Sequence, residues 1–241
     1  MKVTDIHVCY VINDNKDFLD LTIKSAKQLK KFFRSKKYNL RIYALSEMEL
    51  KGLPSFIENV ISPHKGIPLL WQRMYIPELI NSDKCIFLDS DTLAYTCISK
   101  LWDIDIGDSY IALAPHYCMH TIEEMLNHYS LNEFPLYRDK RDVQQYYNCG
   151  VAIINSKLWR DLNLKEIPLK YYDSIKNTPH WKNDEPTYNV CFSDKIFELD
   201  ASWNYFPVNI YKRANIIHYY GTYIKGKPFH NEFAIHPDQC K

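Results

Sequence analysis

The sequence predicts an α/β fold in which helices flank a mostly parallel central sheet. Three observations support this prediction. Apolar runs of strand length alternate with segments whose apolar residues recur at helical spacing. The chain has 241 residues and 46% of them are hydrophobic, which is enough for one substantial core. No repeat, low-complexity segment or linker divides the chain, so we expect a single domain over residues 1–241.

The first half of the chain begins with a strand, a loop and a helix. The run IHVCYVIN (6–13) has the length and β-branched content of a buried strand, and 17–33 follows with apolar residues at helical spacing. A helix is also predicted at 74–80, despite Pro77. The other strands predicted in this half lie at 39–46, 56–62 and 84–89.

The second half contains one irregular segment between predicted strands. Residues 116–146 are rich in His, Tyr and charge and show no clean period, so we expect a surface excursion or lid. Ser156 is predicted to cap a helix that follows it. The remaining predicted elements are a helix at 184–192 and strands at 110–115, 148–155, 195–199 and 215–220.

Composition argues against several classes of function. The 30 basic and 29 acidic residues give a formal charge of +1, so no overall field recruits nucleic acid or a membrane surface. The lysine-rich stretch 24–37 is interpreted as the solvated face of the first helix. No apolar run reaches the roughly 18 residues of a membrane helix, and the first residues do not resemble a signal peptide. The chain also has only 6 glycines and no GxGxxG or GKS/T motif, which disfavours a phosphate-loop fold.

Cysteine usage bears on the compartment in which the protein works. The 7 cysteines are an odd number and form neither a CxxC pair nor a regular framework. Free thiols in a reducing environment explain this pattern most simply. We therefore expect a cytoplasmic protein without a transmembrane segment, for which peripheral membrane contact is not expected.

The stretch CIFLDSDTLAY (85–95) places two carboxylates at the end of an apolar run. Residues i and i+2 of an extended segment share a face, so Asp89 and Asp91 point the same way while Ser90 points opposite. Such a pair suits Mg²⁺ or Mn²⁺, and open α/β sheets bind ligands at the carboxyl ends of their strands. A solvated turn is the alternative, which the pair alone would favour. The buried strand that leads into the pair favours function.

A second candidate feature lies near the end of the chain. In NIIHYYGTYIKGKPF (215–229), His218 ends an apolar run, and Gly221, Lys225 and Lys227 follow it. A histidine can complete a metal shell, and a lysine can meet phosphate oxygens. Each residue taken alone is more simply explained as a buried strand-end histidine or a solvated loop.

Two further stretches contain polar residues beside predicted elements. Asn148 and Gly150 precede a buried strand in YYNCGVAIIN, where the glycine eases a tight entry into the strand. Asp184 and Glu185 open a helix in NDEPTYN, where acidic residues are ordinary caps.

In this order, the four stretches resemble glycosyltransferase family eight, the retaining enzymes with a GT-A fold, from about residue 5 to residue 229. The most specific part is SDKCIFLDSDTLAYTCISKLWDIDIGD, which is similar to the family's strand, its DxD motif and its LWDxDLGD segment. YYNCGVAIINSKLWR is similar to FNAGVxLINLxxWR, NDEPTYN to DQDxLN, SWNYFP to xxNFxP, and HYYG…KPF to HxxG…KPW. The resemblance implies a Rossmann-like GT-A nucleotide-sugar transferase fold.

The resemblance also implies a reaction and a set of site residues. The reaction is the metal-dependent transfer of a hexose, glucose or galactose, from a UDP-sugar to a hydroxyl of a glycan or other acceptor, with retention of configuration. Asp89, Asp91 and His218 would bind Mn²⁺ or Mg²⁺, which the diphosphate bridges. The residues implied to contact the nucleotide or its diphosphate are Val11, Asn13, Asn15, Arg73, Ser90, Gly221, Lys225 and Lys227. The residues implied to lie near the transferred sugar are Asn148, Asp184 and Glu185.

The same resemblance divides the domain into a donor-binding part at about 1–115, an acceptor or lid segment at about 116–146, and a remaining catalytic part at about 147–229. Glu185 departs from the family, which usually has glutamine there. A glycogenin-like transferase that glucosylates itself or another protein is one alternative function. A hydrolase and a non-catalytic protein that binds metal or a UDP-sugar are the others.

Overall fold

A computed structural model describes residues 4–140, 145–182, 184–206 and 214–219. The strands are β1 (Thr4–Val11), β2 (Tyr38–Ser46), β3 (Ile57–Ile61), β4 (Cys85–Leu88), β5 (Thr92–Ala94), β6 (Ile111–Pro115), β7 (Tyr147–Ile154), β8 (Ile196–Glu198) and β9 (Ile216–His218). The α-helices are α1 (Lys16–Phe32), α2 (Ile76–Leu79), α3 (Ser99–Trp102), α4 (Ile122–His128), α5 (Pro135–Arg138), α6 (Ser156–Asp161), α7 (Glu166–Ile175) and α8 (Asp184–Phe192). Short 3-10 helices span Leu69–Tyr75, Ser193–Lys195 and Ala201–Asn204.

Within the described residues, seven strands form the central sheet in the order β3-β2-β1-β4-β7-β6-β8. Every neighbouring pair is parallel except the two pairs of β7, which runs antiparallel to β4 and β6. Both faces of the sheet are covered: in β1, Val8 and Tyr10 pack into one core and Cys9 packs into the other. The α/β fold with a mostly parallel sheet is therefore confirmed.

β5 and β9 form a separate, two-stranded antiparallel sheet. Only the segment 89–91 separates β5 from β4, so the two acidic residues of the DxD stretch lie in the turn between the sheets. Thr92 of β5 lies opposite His218 of β9. This pairing brings β9, and with it His218, next to the acidic turn.

Several predicted elements differ in detail from the structure. Ser156 does not cap α6, because Asn155 is the N-cap and its side-chain oxygen accepts from the Leu158 N–H at 3.2 Å. The helix predicted at 74–80 is the end of a 3-10 helix followed by α2. Pro77 lies in the first turn of α2, where the backbone N–H groups have no partner within the helix, so the N–H that proline lacks is not missed. The short elements β5 and α3 and the helix α7 were not predicted.

The segment expected to form a surface excursion is partly built into the core. α4 begins with a capping box formed by Thr121 and Glu124. Ile122, Met125 and Leu126 of this helix are fully buried. The expectation of a surface excursion was wrong for this part, because seven helical residues are too few to show a clear period. The role of 116–146 as an acceptor or lid segment stays a prediction.

The helices also bear on whether the chain could cross a bilayer. Among the residues described, no helix combines the length and apolar character that a membrane span requires.

Candidate functional site

The acidic turn after β4 is held in place by hydrogen bonds to the backbone of Asp89. The Asp89 N–H donates to the Gly150 carbonyl of β7 at 2.8 Å, and the Thr92 hydroxyl donates to the Asp89 carbonyl at 2.8 Å. The carboxylates of Asp89 and Asp91 both face His218. Ser90 points the other way and accepts a hydrogen bond from the Thr22 hydroxyl of α1 at 2.8 Å. The alternation expected of an extended segment therefore holds across the turn.

His218 completes a cluster with the two aspartates. Its side chain is 1% exposed, and its Nε2 lies 3.1 Å from Asp91 Oδ1 and 3.6 Å from Asp89 Oδ2. One ligand atom from each of the three residues lies within 4.8 Å of the others. Burial lowers the pKa of His218, but the charges of Asp91 and Asp89 outweigh it and bring the pKa above its ordinary value. The structure thus brings His218 to two aspartates that precede it by more than a hundred positions in the chain.

Gly150 forms the wall behind this cluster. A Cβ at this position would lie 2.2 Å from His218 Cε1 and 2.8 Å from Asp89 Oδ2. Only glycine permits so close an approach of the two side chains to the strand backbone. Two carboxylates and one imidazole nitrogen that converge on one point form a donor set that fits Mn²⁺ or Mg²⁺.

Glu185 lies in the first turn of α8, but the hydrogen-bond partners of its side chain lie outside that helix. Oε1 accepts from the Tyr146 hydroxyl at 2.7 Å. Oε2 accepts from Asn148 Nδ2 at 2.7 Å and from the Cys149 N–H at 3.1 Å. Burial raises the pKa of the Glu185 carboxyl to about 7, although the bonds from Tyr146 and Cys149 lower it. This carboxyl group therefore titrates near neutral pH, as functional carboxyls often do.

Replacing Glu185 with glutamine is expected to change how stability depends on pH. At pH values between the ordinary pKa of a glutamate and about 7, Glu185 keeps its proton in the folded wild type, whereas it has lost that proton in the unfolded chain. The wild type therefore loses stability as the pH rises from 5 to 8, whereas the glutamine cannot titrate. Urea unfolding at pH 5 and at pH 8 gives the unfolding free energy of both proteins. Between these two pH values, the wild type should lose roughly 2 kcal/mol more of it than the variant does.

The control for this experiment is Glu123→Gln, at an exposed position of α4. Its stability should follow the wild type at both pH values. Equal pH dependence of the wild type and the Glu185 variant would show that burial does not perturb this carboxyl.

Asp184 and Arg73 form a nearly buried ion pair beside Glu185. Asp184 is 8% exposed, and its carboxylate accepts from Arg73 Nη2. The other guanidinium nitrogen donates to the Cys149 carbonyl at 3.2 Å. The guanidinium carbon lies 4.9 Å from the centre of the Phe87 ring and 5.1 Å from that of Tyr188. The pair ties the 3-10 helix that contains Arg73 to β7 and α8.

An open cleft of about 370 Å³ adjoins the cluster. Four of the residues predicted to bind donor or metal line it together, namely Val11, Asn13, Arg73 and Asp89. The other lining residues are mostly apolar: Ile12, Phe18, Pro68, Leu69, Leu70, Phe87 and Trp181. An apolar cleft with a few polar groups in its lining is typical of small-molecule sites.

Asn15, a predicted nucleotide contact, does not line the cleft, and three other predicted contacts lie outside the described residues. Asn15 is the N-cap of α1, where its side chain accepts from the Asp17 N–H at 2.8 Å. Gly221, Lys225 and Lys227 fall outside the residues that the structure describes.

Two buried polar residues of the site were missed in the sequence. Tyr146, which bonds Glu185, comes at the end of the segment without a clear period. Asn204 is 2% exposed, and its Oδ1 lies 3.0 Å from His218 Nδ1. It belongs to the SWNYFP stretch, which carried part of the family resemblance, so a signal for this residue was present.

Comparison with known proteins gives a family and several relatives. The profile described as "Glycosyl transferase family 8" matches residues 9–232. General stress protein A of Bacillus subtilis (strain 168) is 30% identical over 138 residues, which cover 56% of this chain and 44% of that protein. Probable galacturonosyltransferase-like 10 of Arabidopsis thaliana is 26% identical over 192 residues, which cover 74% and 49%. The chain thus spans less than half the length of these two curated relatives.

A solved structure supports the fold. The galactosyltransferase LgtC in complex with donor and acceptor sugar analogs matches with a TM-score of 0.67 at 19% identity, over 96% of this chain and 91% of that chain. At this level of identity the likeness shows the fold, and that fold is GT-A.

Proposed function

Because the chain belongs to glycosyl transferase family 8, we propose that it is a metal-dependent glycosyltransferase that moves glucose or galactose from a UDP-sugar to a hydroxyl of a glycan or other acceptor. The observation that carries the proposal is the convergence of Asp89, Asp91 and His218 beside an open cleft, which Asp89 lines. The six described cysteines are free thiols, which supports the proposal that the protein works in the reducing cytoplasm.

The metal end of the site is suited to the departure of a nucleoside diphosphate. Negative charge develops on a phosphate oxygen when its bond to the anomeric carbon breaks. A divalent cation, when bound, would supply positive charge at that oxygen as a Lewis acid. Asp89, Asp91 and His218 would hold this cation, and both aspartate side chains are partly exposed, at 38% and 20%. The two aspartates are therefore partly open to solvent, and Asp89 also lines the cleft.

We base the remaining proposed donor contacts on the family resemblance and on which residues line the cleft. We propose that Val11 and Asn13, which line the cleft, contact the nucleoside. Asn15 and the backbone at Ser90 are proposed to contact the nucleotide as well. The diphosphate contacts proposed outside the described residues are Gly221, Lys225 and Lys227. Arg73 lines the same cleft but is paired with Asp184, so we propose that it orients that carboxylate beside the donor.

We propose that Asn148, Asp184 and Glu185 lie beside the transferred sugar. The transition state has oxocarbenium character, so a nearby carboxylate would stabilise the positive charge on the ring. The carboxylate of Asp184 is committed to Arg73, whereas among the described residues the donors to Glu185 are neutral. Glu185 is therefore the better candidate for this role. Retention of configuration is proposed with it by one of two routes. In the first, Glu185 bonds to the anomeric carbon as the bond to UDP breaks, and the acceptor hydroxyl then displaces the Glu185 carboxylate and loses its proton. In the second, the acceptor hydroxyl attacks on the face from which UDP leaves.

A donor screen tests the proposed function. The protein is incubated with UDP-glucose, UDP-galactose or UDP-galacturonic acid, with Mn²⁺ or with EDTA, and UDP release is measured without acceptor. We expect slow hydrolysis of one donor that requires Mn²⁺. Equal release with Mn²⁺ and EDTA would contradict metal dependence. No release with any donor, with tight Mn²⁺ binding that requires UDP, would favour a non-catalytic protein instead.

The mass of the intact protein after the same incubation separates the two kinds of acceptor. An unchanged mass agrees with transfer to a separate molecule. A ladder of hexose additions would show that the protein modifies itself.

A further inference from the structure

We propose that Asn204 is a positioning residue that fixes the orientation and tautomer of His218. The proposal deepens the proposed function, and depends on it for the identity of the cation. It follows from one chain of hydrogen bonds that begins at a backbone N–H and ends at the imidazole. All the side chains in this chain of bonds are buried.

The first step is the orientation of the Asn148 amide. The Gly150 N–H donates to one atom of this side chain at 2.9 Å, and a backbone N–H can only donate. That atom must therefore be the oxygen, Oδ1. The amide nitrogen then faces Glu185, whose Oε2 accepts from it at 2.7 Å. The backbone of β7 thus decides which way Asn148 points.

The second step is the orientation of Asn204. One end of its amide lies 2.6 Å from Asn148 Oδ1 and 3.4 Å from the Asn148 carbonyl oxygen. Both of these atoms are acceptors, so the end that faces them is the nitrogen, Nδ2. The oxygen of Asn204 must face the opposite way, where it lies 3.0 Å from His218 Nδ1.

The third step is the tautomer of His218. Nδ1 faces two oxygens, Asn204 Oδ1 at 3.0 Å and Asn148 Oδ1 at 3.2 Å, and neither can donate. Nδ1 must therefore carry a hydrogen. The lone pair available to a cation is then on Nε2, the nitrogen that faces Asp91. Metal-binding histidines generally donate their second N–H in this way.

Asn204, rather than Asn148, is the main acceptor for Nδ1. Asn148 Oδ1 already accepts from the Gly150 N–H and from Asn204 Nδ2. The backbone next to Asn204 is also tied to the strand that carries the histidine, because the Tyr205 carbonyl accepts from the His218 N–H at 2.9 Å. The position of Asn204 relative to the imidazole is thus set by the protein and does not require the cation.

Binding of Mn²⁺ in the presence of UDP, measured by calorimetry, tests this role in two variants. Asn204→Leu keeps the number and branching of the side-chain heavy atoms but removes the acceptor, so the Kd for Mn²⁺ should rise about 10–100-fold. Asn204→Asp keeps an oxygen opposite Nδ1 but loses the bond to Asn148. It should be less stable than the wild type and yet bind Mn²⁺ within a few-fold of it. If both variants lose affinity in step with their stability, the role of Asn204 is only structural.

The matched control is Asn215→Leu. The amide of Asn215 donates to the Ser202 hydroxyl at 2.7 Å, in the same 3-10 helix that carries Asn204. This variant should bind Mn²⁺ as the wild type does. If Asn204→Leu does not fold, Asn204→Ala removes the same acceptor and the same rise in Kd is expected.

An NMR readout without metal separates this proposal from the proposed function. The Nδ1–H of His218 should give a slowly exchanging ¹⁵N–¹H correlation in the metal-free wild type and in Asn204→Asp. It should exchange rapidly in Asn204→Leu. An unchanged signal in the leucine variant would overturn the proposal. If the wild type binds no Mn²⁺ with UDP, the proposed function fails, but this signal still decides the role of Asn204.

Discussion

Asp91→Asn is expected to lower the rate of Mn²⁺-dependent sugar transfer by a factor of about 10²–10³, as loss of one preorganised electrostatic group does in other enzymes. Asp91 Oδ1 is the carboxylate oxygen nearest to His218 Nε2, at 3.1 Å. The amide keeps the size of the side chain and removes its charge, so the fold should be retained. The rate is measured as UDP release with the donor that the screen identifies, and the fold as the thermal unfolding temperature.

The control for this experiment is Asp173→Asn, an exposed position of α7 that pairs with Lys176. It should leave the rate unchanged. EDTA should reduce the wild type to the level of the Asp91 variant and should have little further effect on that variant. A variant that keeps the full Mn²⁺-dependent rate would show that Asp91 does not hold the cation.

Gly150→Ala should remove Mn²⁺ binding and also lower the unfolding free energy by about 1–3 kcal/mol, the usual cost of overpacking. The added Cβ would lie 2.2 Å from His218 Cε1 and 2.5 Å from His218 Nδ1. The strand cannot move away freely, because the Gly150 N–H donates to Asn148 and its carbonyl accepts from the Asp89 N–H. The imidazole must therefore shift and lose its alignment with the aspartates. Calorimetry with Mn²⁺ and UDP, and urea unfolding, measure the two effects.

Gly52→Ala separates this steric effect from the general cost of replacing a glycine. Gly52 has a φ of 86° and no atom within 4 Å of an added Cβ, so alanine there would strain only the backbone. Its stability should fall by roughly 1 kcal/mol while Mn²⁺ binding stays as in the wild type. Normal Mn²⁺ binding by Gly150→Ala would show that the site tolerates a displaced histidine.

The longer elements of the fold could be predicted because their apolar periods are local. β1, α1 and β7 contain enough residues for a strand or helix period to show, and each begins and ends close to its predicted bounds. β5 has three residues and α3 has four, which is too short for any period. The cap of α6 was assigned to Ser156 instead of its neighbour Asn155, since both residue types can cap a helix and only the hydrogen bond distinguishes them.

In the site, too, features set by neighbouring residues could be predicted, whereas features set by strand pairing could not. That Asp89 and Asp91 share a face follows from the two-residue period of extended backbone, which neighbouring residues impose on each other. Their approach to His218, the clearance at Gly150 and the bonds that orient Asn204 depend on β9 pairing with β5 and β7 pairing with β4. No local spacing specifies such pairings, because the order and register of strands result from burial of the whole core. The acidic pair was therefore legible in the chain, whereas the groups that make it a site came together only on folding.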